Sequence, residues 1–226
     1  MSGLVAAFRT AFGREPDGLW SAPGRVNLIG EHVDYAGGLC LPWALPLRTV
    51  VAAAARDDGG LRLRSEYPGA TPWDGSLDEV RPGHPAGWAG YPAGVVWALR
   101  AAGHPVAGLD LLIGASVPPG AGLASSAALE CAVALAVDTL AGLGLAGTDG
   151  GRDVLAAACR RAENEIVGAA TGMMDQIASL RAVAGNALLL DCRDGTVRQV
   201  PLDLAAAGLT LLVIDTQAPH RLVEGQ

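Results

Sequence analysis

The loop between Val117 and Ala127 carries residue types that bind an anion. An apolar strand pattern ends in two prolines, a loop with two glycines follows, and Ser125 and Ser126 come directly before a long apolar helix pattern. Glycines let the backbone approach a ligand closely, and the free N–H groups and the dipole at a helix start favour negative charge. The serine hydroxyls can donate to phosphate oxygens or bind a divalent cation. A tight turn in which Ser125 caps the helix fits the same pattern equally well.

A second segment, residues 24–35, concentrates polar side chains beside an apolar stretch. It contains Arg25, Glu31, His32, Asp34 and Tyr35. An arginine can stabilise charge on a transferred phosphoryl group, while the other side chains suit a ligand with many hydroxyl groups. Their spacing does not match a helical zinc motif. A solvated turn with ordinary surface charges is the alternative.

A third segment combines two carboxylates on consecutive helix patterns. Asp175 lies among apolar neighbours just after the helix-breaking Gly172, where a carboxylate can act as a base or can favour the start of a helix. Glu163, on the preceding helix pattern, could bind magnesium, although a helical glutamate is more often solvated. Each signal is weak by itself, and the three together point to a site for a phosphorylated and hydroxylated ligand.

The composition narrows the function classes. The chain has 226 residues with 16 basic and 23 acidic side chains, a formal net charge of −7, which argues against binding nucleic acid through its phosphates. All 16 basic residues are arginines. The absence of lysine excludes from this chain a Schiff-base enzyme and the lysine-bearing phosphate loop of many nucleotidases.

The cysteines and the apolar segments indicate the cellular compartment in which the protein is expected. The four cysteines form no close pair and no secretory segment precedes them, so we expect reduced thiols in a cytoplasmic, soluble protein. The most apolar region, residues 127–147, is interrupted by Glu130 and Asp138. It therefore predicts a buried helix rather than a membrane span.

The hydrophobic periodicity predicts helices and strands along the whole chain. Helices are predicted over 3–13, 88–102, 125–141, 151–168 and 173–182, and strands over 19–28, 47–56, 61–64, 109–117, 186–191, 196–201 and 209–215. Residues 66–86 are rich in proline and glycine and predict an irregular connection. Because helices occur in adjacent pairs between runs of strands, the pattern favours an α+β architecture over a doubly wound parallel sheet.

The motifs resemble those of a known family. The segment GRVNLIGEHVDYAGG resembles the galactokinase signature, and PPGAGLASSAAL resembles the phosphate loop of the wider GHMP small-molecule kinases. AENEIVG followed by GMMDQ is similar to the region that holds the galactokinase base. Order and separation also fit, so the resemblance runs from about residue 5 to the end. It implies the GHMP-kinase N-terminal domain, with mixed β-sheets and helices packed on them, and with the second lobe largely missing.

The resemblance implies ATP-dependent phosphorylation of galactose at its anomeric hydroxyl, with Mg²⁺. Arg25 would stabilise the transferring phosphoryl group, and Asp175 would take or orient the sugar proton. The sugar hydroxyls would be held by Glu31, His32, Asp34 and Gly172, with Tyr35 nearby. The nucleotide phosphates would be held by Pro119, Gly120, Ala121, Gly122, Leu123, Ala124, Ser125 and Ser126. Ser126 and Glu163 would bind Mg²⁺, and Trp88 would lie against the adenine.

Two departures from the family pattern matter. Ala124 stands where galactokinases commonly have the first of three serines, and we expect a changed hydrogen bond rather than lost binding. Galactokinases are also much longer. We therefore expect residues 1–205 to form the sugar- and ATP-phosphate-binding domain and residues 206–226 to begin a truncated C-terminal lobe. Such a fragment is expected to have little or no activity by itself.

Three alternatives stay open. The chain could belong to another GHMP sugar kinase such as an arabinokinase, to a non-catalytic sensor of galactose and ATP, or to a purely structural fragment. The intact Arg25, Asp175 and Ser125-Ser126 pair favours an enzyme. The partners expected are small molecules, with no nucleic acid and no membrane, and no protein partner can be inferred.

Overall fold

A computed structural model describes residues 2–214 of the chain. The α-helices are α1 (Ser2–Phe12), α2 (Gly90–Ala101), α3 (Ser125–Leu140), α4 (Asp149–Arg161) and α5 (Met174–Arg181). The strands are β1 (Gly18–Asn27), β2 (Leu39–Cys40), β3 (Pro42–Arg56), β4 (Gly60–Ser65), β5 (Trp73–Ser76), β6 (Gly108–Ala115), β7 (Asn186–Asp191) and β8 (Thr196–Pro201). A π-helical segment, Ala162–Val167, continues α4.

The strands form two sheets. The larger sheet has five strands in the order β1-β3-β6-β4-β5, and the smaller has three in the order β2-β7-β8. Among the strand pairings of the described residues, only that of β4 with β6 is parallel. The expected α+β architecture, rather than a doubly wound parallel sheet, is therefore confirmed.

The long central strand β3 separates two hydrophobic cores. Successive side chains of a strand point to opposite faces, and here Val51 and Ala53 join the main core while Ala52 and Ala54 join a smaller one. The smaller core is closed by α1 through Leu4, Phe8 and Phe12. Helices α2 to α5 cover the other face, so the segments with candidate site residues converge on one side of the large sheet.

Most predicted elements are confirmed, with shifted ends, and three differ. The predicted helix over 151–168 is an α-helix only as far as Arg161 and is π-helical beyond it. The stretch 66–86, predicted to be irregular, contains strand β5, because residues 73–76 pair with Gly60–Leu63 at the sheet edge. The strand predicted over 209–215 is wrong for residues 209–214, which have no regular structure, and residue 215 lies outside the described residues.

The α-helices of the described residues are 8 to 16 residues long. Among residues 2–214, none is long and apolar enough to cross a membrane. Buried Glu130 and Asp138 interrupt the most apolar helix, α3, as the sequence indicates.

Candidate active site

Arg25 lies in β1, next to an irregularity of the strand. The register with β3 shifts between Pro23 and Arg25, and the intervening Gly24 lies against the loop before α3. A Cβ atom on Gly24 would lie 2.6 Å from the carbonyl oxygen of Leu123, so only glycine fits this close approach. The backbone N–H of Arg25 donates to the same oxygen at 3.1 Å. The strand and the loop are therefore fixed to each other beside the arginine.

The Arg25 guanidinium joins the loop to α5. Its Nε and Nη2 atoms donate to the two carboxylate oxygens of Asp175, each at 2.8 Å, and Nη1 donates to the carbonyl oxygen of Gly122 at 2.7 Å. The Arg25 side chain is 12% exposed and that of Asp175 is 29% exposed, so both remain reachable from the pocket. The two predicted catalytic residues, 150 positions apart, are thus brought together.

Asp175 lies in the first turn of α5. The Ser179 hydroxyl, one turn further on, donates to the Pro23 carbonyl oxygen at 2.8 Å and fastens the helix to β1. Burial raises the pKa of Asp175 above its usual value. The Arg25 guanidinium opposes that shift, whereas the negative charges of Asp34 and Glu31 add to it.

The loop before α3 has three residues in the left-handed backbone region. They are Gly120, Gly122 and Ala124, with φ values of 69°, 72° and 56°. Ala124 directly precedes the helix and provides no side-chain cap, while Ser125 is the first helical residue. The alternative in which Ser125 caps the helix is therefore wrong. Without a side-chain cap, the N-terminus of this 16-residue helix keeps the character of an anion site.

The loop and Arg25 border a cavity of about 710 Å³. Of the predicted residues it is lined by Arg25, Trp88, Pro119, Gly120, Gly122, Leu123, Ala124, Ser125, Ser126 and Asp175. Ala121 does not line it and packs instead against the small cluster formed by Leu45, Val117, Leu123 and Ala128. This cluster anchors the loop to the sheet.

Several lining residues were missed by sequence reasoning. They are Thr49, Ser65, Tyr67, Pro68, Gly69, Ala70, Tyr91, Ile113 and Leu129. The Tyr67 hydroxyl donates to the Val117 carbonyl oxygen and so holds its segment against the end of β6. The predicted aromatic, Trp88, lies in the same wall, and its Nε1 donates to the Thr71 carbonyl oxygen at 3.0 Å. The sequence feature that could have indicated these lining residues is the Tyr67-Pro68-Gly69 turn, but such a turn is typical of an ordinary connection between elements.

The predicted sugar-binding residues lie beside the cavity rather than in its lining. Asp34 lies close to Gly172, where an added Cβ would be 1.9 Å from Asp34 Oδ2. Asp34 and Glu31 both approach Asp175 closely enough to raise its pKa. His32 and Tyr35 are exposed, and their rings meet edge-on with centroids 6.3 Å apart. The structure thus brings Asp34, Glu31 and Gly172 towards Asp175 and leaves His32 and Tyr35 at the surface.

Glu163 and Ser126 present oxygen atoms to each other. Glu163 lies in the π-helical segment and is 3% exposed. Burial raises the pKa of Glu163, and the hydroxyls of Ser126 and Thr171 and the amide of Gln176 oppose that shift. Carboxylate and hydroxyl oxygens suit a hard divalent cation that keeps water and phosphate ligands. No group of three or more histidine, cysteine, aspartate or glutamate residues in the described part of the chain could hold a metal by itself.

Comparisons with known proteins agree with this geometry. The family model described as the galactokinase galactose-binding signature matches residues 6–55, and that of the GHMP kinases N terminal domain matches residues 90–182. The chain is 52% identical to a galactokinase of Streptomyces coelicolor over 219 residues, which is 97% of this chain and 55% of that protein. It is 45% identical to a galactokinase of Mycobacterium tuberculosis, over 89% of this chain and 53% of that one.

Solved structures of a galactokinase and of a mevalonate kinase are also similar to this chain. The crystal structure of Lactococcus lactis galactokinase complexed with galactose matches with a TM-score of 0.79 and 33% identity, over 90% of this chain and 52% of that one. Methanococcus jannaschii mevalonate kinase matches with a TM-score of 0.63 and 18% identity, over 84% and 57%, which shows a shared fold alone.

Fold and motifs together define a GHMP-kinase N-terminal domain. Within that superfamily the chain belongs to the galactokinases and corresponds to their N-terminal portion. It spans about half the length of the curated relatives that it matches.

Proposed function

We propose that this chain supplies the sugar- and phosphate-binding half of an ATP-dependent galactose 1-kinase. The observation that carries the proposal is the Arg25–Asp175 pair, which borders a cavity of about 710 Å³ next to the glycine loop. A general base and a cation beside an anion site are the groups that phosphoryl transfer to a hydroxyl requires. The likeness to a galactokinase complexed with galactose supports the choice of sugar.

In the proposed reaction, Asp175 accepts or orients the proton of the anomeric hydroxyl. The sugar oxygen forms a bond to the γ-phosphorus of ATP, and the bond from that phosphorus to the leaving ADP oxygen breaks. Arg25 stabilises the charge on the transferring group, while the N–H groups between Gly120 and Ser126 hold the other phosphates. Chemistry of this kind depends mainly on positioning and electrostatics.

Ser126 and Glu163 would hold Mg²⁺, because their oxygens suit a hard cation and Ser126, which lines the cavity, is in hydrogen-bond reach of Glu163. When bound, Mg²⁺ neutralises phosphate charge.

The sugar hydroxyls are proposed to contact Glu31, His32, Asp34, Tyr35 and Gly172. Trp88 is proposed to lie against the adenine, and its place in the cavity wall supports this.

The proposed domain organisation follows the same reasoning. Residues 1–205 would form the N-terminal domain and residues 206–226 would begin a second lobe that completes the active-site wall. ATP and a free sugar as substrates make the cytoplasm the proposed compartment.

The test is a phosphotransfer assay on the full-length protein with a panel of monosaccharides. Formation of galactose 1-phosphate is expected, and absence of transfer to galactose ends the proposal. Transfer to another sugar alone supports the arabinokinase alternative, whereas calorimetric binding of galactose and ATP without turnover supports the sensor. For purified residues 1–226 we expect galactose binding with little or no turnover.

A further inference from the structure

One side-chain nitrogen joins two buried carboxylates near the cavity. Gln176 Nε2 donates to Glu130 Oε2 at 3.1 Å and to Glu163 Oε2 at 3.0 Å. The three residues are 1%, 0% and 3% exposed, respectively. An amide nitrogen has two hydrogens, so these two bonds use its full donor capacity. Gln176 therefore ties Glu163 to α3 through Glu130.

The Glu163 carboxylate is held through one of its two oxygens. Besides the Gln176 amide, the Thr171 hydroxyl donates to the same atom, Oε2, at 2.9 Å. Two donors on one oxygen fix both the position and the rotation of the carboxylate plane. Oε1 accepts neither of these bonds and is the oxygen available to a cation. A metal ligand held in this way is already in its binding orientation.

The network of Glu130, Gln176 and Glu163 stabilises the fold less than apolar packing would. Glu130 Oε1 and Gln176 Oε1 are both buried and lack a hydrogen-bond partner among the described residues. Buried polar oxygens without partners lower stability, and apolar side chains of similar volume would fill the same space without that cost. An arrangement that lowers stability directly behind the cavity-lining residues Leu129 and Asp175 indicates a role in the site.

Gln176 also has a special place in the chain. It directly follows Asp175 in the first turn of α5, so one helix start carries both the group paired with Arg25 and the group bonded to Glu163. We propose that Gln176 is a positioning residue that orients the Glu163 carboxylate towards the cation, with Glu130 as its buried anchor. This inference rests on the proposed function, in which Glu163 is a Mg²⁺ ligand.

The experiment measures Mn²⁺ binding in the presence of a non-hydrolysable ATP analogue, by electron paramagnetic resonance of free Mn²⁺ in the full chain. Gln176→Met keeps the side-chain length and removes the donor. It is expected to weaken Mn²⁺ binding by about 10-fold, the usual effect of losing a partner of a metal ligand, and to leave the galactose dissociation constant unchanged. Equal weakening of Mn²⁺ and galactose binding overturns the proposal.

Gln199→Met is the matched control. Gln199 also donates one amide hydrogen bond, to the Arg181 carbonyl oxygen at 2.8 Å, and its Oε1 is likewise buried without a partner. It lies on β8, in the smaller sheet, and does not line the cavity. Mn²⁺ affinity is expected to stay at the wild-type value in this variant, and a loss as large as that of Gln176→Met counts against the proposal.

A second pair of variants tests the anchor without changing α5. Glu130→Gln keeps an acceptor oxygen for the Gln176 amide and is expected to preserve Mn²⁺ affinity. Glu130→Leu removes the acceptor, packs well in an apolar helix, and is expected to weaken Mn²⁺ binding. Wild-type affinity in both Gln176→Met and Glu130→Leu overturns the positioning role.

Glu163→Gln separates this inference from the proposed function. If this variant loses Mn²⁺ binding while Gln176→Met keeps it, the metal site stands and the positioning role is wrong. If Glu163→Gln binds Mn²⁺ as tightly as the wild type, the proposed metal ligand itself is wrong, and the inference fails with it.

Discussion

Arg25 and Asp175 form a bidentate ion pair, with both hydrogen bonds at 2.8 Å, although the two residues are 150 positions apart in the sequence. Two opposing effects act on the Asp175 carboxylate. The guanidinium stabilises its charge, while burial and the nearby Asp34 and Glu31 disfavour it, and the result is a raised pKa. A raised pKa makes Asp175 a better proton acceptor than a fully solvated aspartate. Arg25 holds this base in a fixed orientation.

Asp175→Asn is expected to lower kcat far more than it weakens galactose binding. The amide keeps an acceptor for Arg25 but cannot take a proton, so kcat should fall by about 100-fold to 10,000-fold while the galactose dissociation constant changes only slightly. Steady-state kinetics on the full-length protein and calorimetry with galactose measure the two effects. Equal losses in both quantities contradict the role as a base.

A matched control is available between α4 and α5. Asp153 on α4 also accepts hydrogen bonds from an arginine, Arg181, with the shorter at 3.0 Å. It lies outside the cavity lining. Asp153→Asn is therefore expected to leave kcat unchanged, and a loss similar to that in Asp175→Asn would show that disturbing any arginine–aspartate pair of α5 is enough.

The pH dependence of kcat/KM should report the charges around Asp175. The base must be ionised, so activity falls as the pH drops through its pKa, and a raised pKa moves this loss to higher pH. The negative charge of Asp34 contributes to the raised pKa. Asp34→Asn removes that charge and should shift the acid limb of the profile to lower pH, alongside weaker galactose binding. An acid limb that stays in place or moves to higher pH would show that Asp34 does not act on the base.

Gly172→Ala tests the contact between the segment before α5 and Asp34. An added methyl group would lie 1.9 Å from Asp34 Oδ2, so the carboxylate must move. A displacement of about 1 Å in a positioning group costs up to roughly 100-fold, and we expect the galactose dissociation constant to rise by about 10-fold to 100-fold. Gly150→Ala is the control, because no atom lies within 4 Å of its added Cβ. Similar galactose affinity in the two variants would exclude Asp34 from sugar binding.

The sequence was sufficient for the parts of the site that local motifs encode. The loop before α3 combines prolines, glycines and serines, and Asp175 follows a helix-breaking glycine, so both could be located from residue types and family resemblance. Ala124 precedes α3 and offers no side-chain cap, and the expected change of a hydrogen bond at this position stays a prediction. These features depend on neighbours within a few residues.

The sequence did not reveal the parts that arise from long-range packing. Tyr67 and Tyr91 line the cavity from segments that show no ligand motif, and their position depends on how β4 and α2 pack against the loop. The link from Gln176 to Glu130 spans 46 positions. In the sequence, Glu130 appears only as an interruption of an apolar helix pattern. That pattern predicts its place on a buried helix but does not predict its hydrogen-bond partner, Gln176.

Glu130→Gln should change how stability depends on pH. Burial, reinforced by the nearby charge of Glu163, raises the pKa of Glu130 well above its usual range. The folded state therefore keeps a proton that the unfolded chain releases above about pH 4.3. Stability is thus expected to fall by up to about 1.4 kcal/mol for each pH unit between the unfolded and the folded pKa, because the unfolded state binds fewer protons there.

Glutamine does not titrate, so the variant lacks this decline, and its free energy of unfolding relative to the wild type should rise with pH. Urea unfolding between about pH 5 and pH 8 measures the difference. Gln199→Met is the control, because it removes a side-chain hydrogen bond without changing any titratable group, so the slope should stay that of the wild type. Parallel stability curves for the wild type and Glu130→Gln would mean that Glu130 has the same charge in the folded and unfolded chain, and the proton would then not be part of the buried network.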